Sequence, residues 1–195
     1  MGRLFCLIGK SGSGKDTVFK VLMKDKSLGL LPVITYTTRP RREHETNGVE
    51  YYFINTNMLM NYKNADKIIE MRKYDTIKGV WYYCTLDDGR MDLNSANYLI
   101  IGTLEGYRAF KKYYKNAVVP LYIEVDDGER LSRAIARERG QKKPDYSELC
   151  RRFLADCEDF SDEKLKEAGI TLHFKNEVIE DCADEIKKYI LSLSS

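Results

Sequence analysis

The sequence predicts an α/β fold: a three-layer arrangement with a mostly parallel sheet between helices, a small inserted antiparallel lobe and a helical lid. Three observations carry that expectation. Short continuous apolar runs, the mark of strands buried on both faces, recur along the chain. Amphipathic helical stretches alternate with them, as βα units require. A glycine-rich loop joins the first apolar run directly to the first helix.

The first run is Leu4-Phe5-Cys6-Leu7-Ile8, bounded by glycines, and it feeds into Gly9 to Gly14. Lys15 to Lys24 reads as a helix, with Val18, Val21 and Leu22 at helical spacing. Further buried strands are expected at Tyr98 to Ile101, Val118 to Val125 and Ile170 to Phe174. Helices are expected at Glu105 to Tyr114, Gly128 to Glu138, Asp145 to Asp159 and Val178 to Leu193. Between Ile34 and Leu86 the rhythm breaks: Tyr51-Tyr52-Phe53-Ile54, Ile68 to Tyr74 and Val80 to Thr85 read as strands. Asn47-Gly48 and Lys78-Gly79 serve as turn markers between them. Residues 1–33 with 87–195 are therefore expected to form the core, and residues 34–86 the inserted lobe. Arg139 to Pro144 is polar and basic between two helices, which suits a mobile flap, and the lid is expected at about 137–152.

A chain of 195 residues with 43% hydrophobic and 11% aromatic content supports one good core. The formal charge of +2, from 32 Lys+Arg against 30 Asp+Glu, gives no global pull toward nucleic acid or a membrane. Neither is expected as a partner. The cysteines Cys6, Cys84, Cys150, Cys157 and Cys182 form no C-x-x-C pair, which fits a reduced compartment. Leu4 to Ile8 is too short for a signal peptide or a membrane span. Met1-Gly2 lacks the hydroxyl residue that myristoylation wants, because position 6 is Cys. A cytoplasmic monomer or homodimer is the expectation.

Gly9-Lys10-Ser11-Gly12-Ser13-Gly14-Lys15 matches the P-loop pattern G-x-x-x-x-G-K. Glycines let successive backbone N–H groups turn inward around an anion, and the helix starting at Lys15 adds its positive end. Lys15 reaches the terminal phosphates of a nucleoside triphosphate as a point charge. The ATP-binding residues expected here are Gly9, Ser11, Gly12, Ser13, Gly14, Lys15, Asp16 and Thr17. Where the motif calls for Ser or Thr to hold Mg2+, this chain has Asp16. A carboxylate suits a hard cation, so Asp16 is the expected metal-side residue. The competing reading is an acidic first-turn residue favoured by the helix dipole.

A second basic landmark follows. Arg39, Arg41 and Arg42 lie in four positions stiffened by Pro40, a pattern that suits a second phosphate because guanidinium binds it bidentately. Taken alone, such a cluster is more often a solvated face. Its context is the run T-T-R-P-x-R-x-x-E-x-N-G-x-E-Y-x-F from Thr37 to Phe53, which resembles the GMP-binding segment of guanylate kinases. With the P-loop upstream, the resemblance spans nearly the whole chain and weakens after the lid.

The resemblance implies that Arg39, Arg42 and Tyr51 hold the acceptor phosphate. Glu70 would accept from the guanine N1 and N2 edge, which offers two donors where adenine does not. Tyr82-Tyr83-Cys84-Thr85 resembles the family's Y-Y-G-[ST], placing Tyr83 on the phosphate and Thr85 on the base. Thr35 stands where the family often has a base-contacting serine. Arg139-Gly140 and Arg151-Arg152-Phe153 resemble lid segments, so Arg139 and Arg152 are the expected arginines on the migrating phosphoryl group, alongside Lys15.

The chain also departs from the family. Ile101-Gly102-Thr103-Leu104-Glu105-Gly106 stands where D-x-D usually precedes x-Q-G, and Cys84 replaces a glycine. The resemblance implies a nucleoside monophosphate kinase using ATP, Mg2+ and most readily GMP. The alternatives are a ribose 1,5-bisphosphate phosphokinase, whose glycine loop also precedes G-K-D, and a non-catalytic interaction module.

Overall fold

The structure is a computed structural model that describes residues 2–76 and 79–193. Its main sheet has five strands in the order β2-β7-β1-β8-β9, and every pair in it is parallel. The strands are β1 (Leu4–Ile8), β2 (Leu30–Pro32), β7 (Asn97–Ile101), β8 (Val118–Glu124) and β9 (His173–Lys175). β1 lies at the centre and is buried at every residue. Its alternation divides the core. Leu4, Cys6 and Ile8 face one hydrophobic layer with α3 (Leu104–Tyr114), while Phe5 and Leu7 face a second layer with α1 (Lys15–Lys24) and α7 (Ile179–Leu193). Phe110 and Tyr107 of α3 fill the first layer, and Ile186 and Ile190 of α7 fill the second.

The second sheet has the order β4-β3-β6-β5, from β3 (Tyr36–Thr37), β4 (Tyr52–Phe53), β5 (Ile68–Thr76) and β6 (Gly79–Leu86). It is antiparallel except for the short β3–β4 pair. Tyr36, Leu59, Cys84 and Leu86 form its own small core, backed by α2 (Thr56–Asn64). Ile69 joins the main core, so β5 couples this sheet to α3. Lys78 of the expected Lys78-Gly79 turn lies outside the described residues.

The remaining helices are α4 (Asp127–Arg139), α5 (Tyr146–Asp159) and α6 (Asp162–Glu167). The polar stretch expected as a flap joins α4 to α5. Two helices differ from the sequence expectation. α2 was not anticipated because it is short and buries one residue, Leu59, although Asn55 caps it by accepting from the Met58 N–H. α6 is shorter still and is capped by Ser161. The strand expected at Ile170 to Phe174 pairs only from His173 to Lys175. Among the described residues no helix is long and apolar enough to cross a membrane.

At the end of α1, Asp25 accepts from the Ser27 N–H and hydroxyl and pairs with Lys187 of α7. The Lys187 ammonium first, then Ser27, hold its carboxyl down at about 2 from an ordinary 3.8. A depressed carboxylate contributes stability that is present above its unfolded value and lost as pH falls through its folded one. Acid unfolding followed by circular dichroism is therefore expected to show Asp25→Asn less stable than the parent at neutral pH. The gap should close between pH 3.8 and about 2. A gap that persists unchanged at pH 2 assigns the loss to something other than this ion pair.

Candidate active site

The loop from β1 to α1 is shaped by backbone constraints. Gly9 adopts φ 151°, and a Cβ there would stand 2.5 Å from the Ile123 carbonyl oxygen. Gly14, at φ 85°, caps α1 without any side-chain bond, and a Cβ there would lie 2.4 Å from Asn176 Nδ2. Asn176 follows β9 and is fully buried. Its Nδ2 donates to the Ser13 carbonyl at 2.7 Å, so the far strand of the sheet braces the loop. Among the described residues the buried Ser13 Oγ has no hydrogen-bond partner. An orphan hydroxyl of this kind costs about 1–3 kcal/mol and suits a ligand oxygen entering the loop.

Lys15 folds over the same loop, its Nζ donating to the Gly9 carbonyl at 2.6 Å and the Lys10 carbonyl at 2.9 Å. Burial pushes its ammonium below the ordinary lysine range, against the opposing pull of Asp156 and Asp16. Asp16 and Thr17 are exposed on the first turn of α1.

Three side chains that the sequence did not flag tie the loop to α4 and α5. Arg130 of α4 is 1% exposed. It donates to the Ser11 carbonyl at 3.0 Å, pairs with Asp127 at 2.9 Å and with Asp156 at 3.4 Å, and lies over the Phe153 ring. Asp156 of α5 also accepts from the Ser11 N–H at 2.7 Å. A carboxylate oxygen thus stands on a backbone N–H of the glycine loop. Lys10 closes the circuit by pairing with Asp127 at 3.1 Å.

Ser11, Arg130, Arg137 and Arg152 line a cavity of about 220 Å3 between α4 and α5. Arg152 therefore reaches the neighbourhood of the loop. Arg139 sits exposed at the end of α4, outside that cavity. On the other side of the loop, Lys10, Asp127, Arg133 and Asn176 border a groove of about 690 Å3.

Facing the loop is the inner surface of the second sheet. The β5–β6 register sets Glu70 opposite Thr85, Arg72 opposite Tyr83 and Tyr74 opposite Trp81, all on one face. Thr35, Tyr51, Tyr83, Arg72 and Asp16 line a cavity of about 540 Å3. Behind it lies Arg39, 4% exposed, which donates from Nε to the Tyr83 hydroxyl at 3.2 Å and from Nη2 to Glu45 at 2.6 Å. Its guanidinium also lies 5.5 Å from the Tyr51 ring centroid. Glu45 accepts the Arg42 N–H as well, at 2.8 Å, while Arg42 itself is exposed.

Glu70 and Thr85 are almost wholly buried, and Thr85 Oγ1 donates to Glu70 at 3.0 Å. Arg72 pairs with the same carboxylate at 3.1 Å. Sequence reading passed over Arg72, although two residues along a strand from Glu70 puts it on the same face. Cys84 points the other way, into the small core, and burial first, then Glu70, pushes its thiol up to about 12. It is a packing residue.

A central parallel sheet with a glycine loop at the end of its middle strand and a second sheet opposite fit a P-loop nucleotide kinase of the nucleoside monophosphate kinase class. A family model described as guanylate kinase matches residues 1–86. A guanylate kinase of Porphyromonas gingivalis is 29% identical over 196 residues, covering 97% of this chain and 97% of that protein. One from Mycoplasmopsis pulmonis is 29% identical over 192 residues, covering 95% of this chain and 92% of that protein. The crystal structure of guanylate kinase from Anaplasma phagocytophilum shares the fold, with a TM-score of 0.65 over 98% of this chain and 85% of that one, at 18% identity. The chain is thus similar to guanylate kinases over nearly its whole length.

Since Asp156 holds a loop N–H that an incoming anion needs, Asp156→Asn is expected to tighten ATP binding on the order of tenfold, by removing one charge-assisted competitor. Isothermal titration calorimetry with ATP reads this directly. Weaker binding would instead make Asp156 a support of the loop.

Proposed function

We propose that the protein transfers the terminal phosphoryl group of ATP to GMP, giving ADP and GDP. The observation that carries this reading is the cavity of about 540 Å3 whose wall joins Asp16 of the P-loop helix to Thr35, Tyr51 and Tyr83 of the second lobe. A donor held by the loop and an acceptor held by the lobe would meet across it. The acceptor phosphate is already a nucleophile, so the chemistry needs no general base. Catalysis then rests on positioning, charge neutralisation and exclusion of water.

In this reading the loop N–H groups, Lys15 and the N-terminus of α1 hold the β- and γ-phosphates. Ser11, Gly12, Ser13, Gly14 and Thr17 take part in the same cradle. Arg39, Tyr51 and Tyr83 hold the acceptor phosphate, and Arg42 joins them by swinging in from solvent. Glu70, Thr85 and Thr35 face the base. Arg152 and Arg139 approach the migrating group as the lid closes, with Arg152 already beside Ser11.

The exposed Asp16 carboxylate and Thr17 hydroxyl on one helical turn are oxygen donors that fit Mg2+, with substrate phosphates and water completing its shell. Asp16 and Thr17 would hold the cation, whose charge would offset that of the phosphates. Residues 34–86 act as the acceptor lobe, 1–33 with 87–195 as the core and about 137–152 as the lid. We place the enzyme in the cytoplasm.

A coupled ADP-release assay with ATP·Mg and a panel of GMP, dGMP, AMP and ribose 1,5-bisphosphate tests the assignment, with GMP expected to be turned over best. Activity on AMP or the ribose compound with none on GMP would overturn it. Arg39→Met should lower kcat/KM for GMP by roughly a hundredfold, the usual cost of losing a buried charge-assisted partner. A change of less than threefold would remove Arg39 from the phosphate site.

A further inference from the structure

Three features lie outside the reading so far: the groove beside Lys10, the Asp156 contact on the loop, and Arg72 in the acceptor cavity. Arg72 reaches furthest. Glu70, the carboxylate implied for base recognition, is 5% exposed and sits behind Arg72. It already accepts from Thr85 Oγ1 at 3.0 Å, from Arg72 Nε at 3.1 Å and from Arg72 Nη2 at 3.4 Å. What faces the cavity directly is the Arg72 guanidinium, between Tyr74 and Tyr83 on the same sheet face.

The two side chains together offer a mixed edge. An ionised carboxylate has about four lone-pair directions, and three are taken. A guanidinium has five N–H groups, and two of those on Arg72 point at Glu70. The ion pair therefore presents further donors and a remaining acceptor, and carries no net charge to bury beneath a neutral ring. Guanine presents the complement: N1 and N2 donors beside the O6 and N7 acceptors. Guanidinium pairing to O6 and N7 is the commonest specific contact to guanine. Adenine would set its 6-amino donor against the guanidinium donors, a mismatch that leaves both unpaired.

We propose that Arg72 is a base-reading residue of the acceptor site, donating to guanine O6 while Glu70 accepts from the N1–N2 edge through its one remaining lone pair. This rests on the guanylate reading given above. It differs from the simpler role in which Arg72 only orients Glu70, because a positioning residue does not sense which atom stands at the 6-position.

The test is a matrix of steady-state kinetics: the parent, Arg72→Met and Arg72→Lys, each with GMP and with 6-thio-GMP, where sulfur replaces O6 and accepts poorly. The parent is expected to favour GMP over 6-thio-GMP on the order of tenfold in kcat/KM. Arg72→Met should lose roughly ten- to a hundredfold on GMP, chiefly in KM, and show little preference between the two substrates. Arg72→Lys keeps a cation beside Glu70 but loses the planar fork, so it should fold as the parent does and still lose most of the preference. Equal losses on both substrates, or a variant that gains activity on GMP, would overturn the inference and leave the GMP assignment standing. If the parent does not phosphorylate GMP at all, the assignment falls and the inference falls with it.

Discussion

The loop between Ile8 and Lys15 has no space for side chains at its joints, and this constraint organises the rest of the molecule. Gly9 is pressed against the backbone of β8, Gly12 against Arg130 of α4, and Gly14 against Asn176 beyond β9. Each neighbour comes from a different part of the chain. The loop can keep its inward-turned N–H groups only if the sheet order, the end of β9 and the start of α4 are all in place. β1 sits at the centre of a fully parallel sheet, so its carboxyl end opens onto a crevice where both neighbouring strands also end. In open α/β sheets that crevice is where ligands bind.

Charge around the loop follows from the same crowding. Lys15, Arg130 and Lys10 converge on one turn of backbone, with Arg152 close by, and burial works against at least the first of them. Asp127 and Asp156 answer these cations. Arg130 is the centre of that arrangement, because it is buried and pairs with both carboxylates. Its bond to the Ser11 carbonyl makes loop geometry and lid position one problem. A triphosphate entering the loop would bring the negative charge that these carboxylates now supply, so lid contacts and ligand contacts draw on the same groups.

Much of this was legible in the sequence where the physical signal is strong and local. β1 and α1 run over the expected residues, Leu4–Ile8 and Lys15–Lys24, because a continuous apolar run and a glycine loop leave few alternatives. Arg39 and Tyr51 from one motif and Tyr83 from another lie side by side. What escaped was of two kinds. Short elements such as α2 bury too little to create a periodic pattern, and only the Asn55 cap announces it. Contacts between distant segments leave no trace in either partner's neighbourhood: Asp156 on Ser11 joins residues 145 apart, and Asn176 on Ser13 joins residues 163 apart. Arg72 belongs to neither kind. The strand was expected and the i, i+2 spacing was visible, but a lone arginine on a strand reads as solvated until the fold shows which face is inside.

The missing aspartates after the third core strand fit the same balance of charge. Where the family carries D-x-D, this chain has Ile101 and Thr103, and Thr103 caps α3 by accepting from the Gly106 N–H at 3.1 Å. Glu70 lies against this end of α3, with Oε2 4.0 Å from where a Cβ on Gly106 would stand. One carboxylate there is answered by the helix dipole, Arg72 and Thr85. Further carboxylates at 101 or 103 would add like charge beside a buried glutamate already paired to a single guanidinium, and would compete with it for that partner. An apolar strand residue at 101 and a neutral cap at 103 leave Arg72 to Glu70 alone. This corner then holds a buried carboxylate, Glu70, with a cation, Arg72, facing the cavity, and its selectivity has to be argued from that pair.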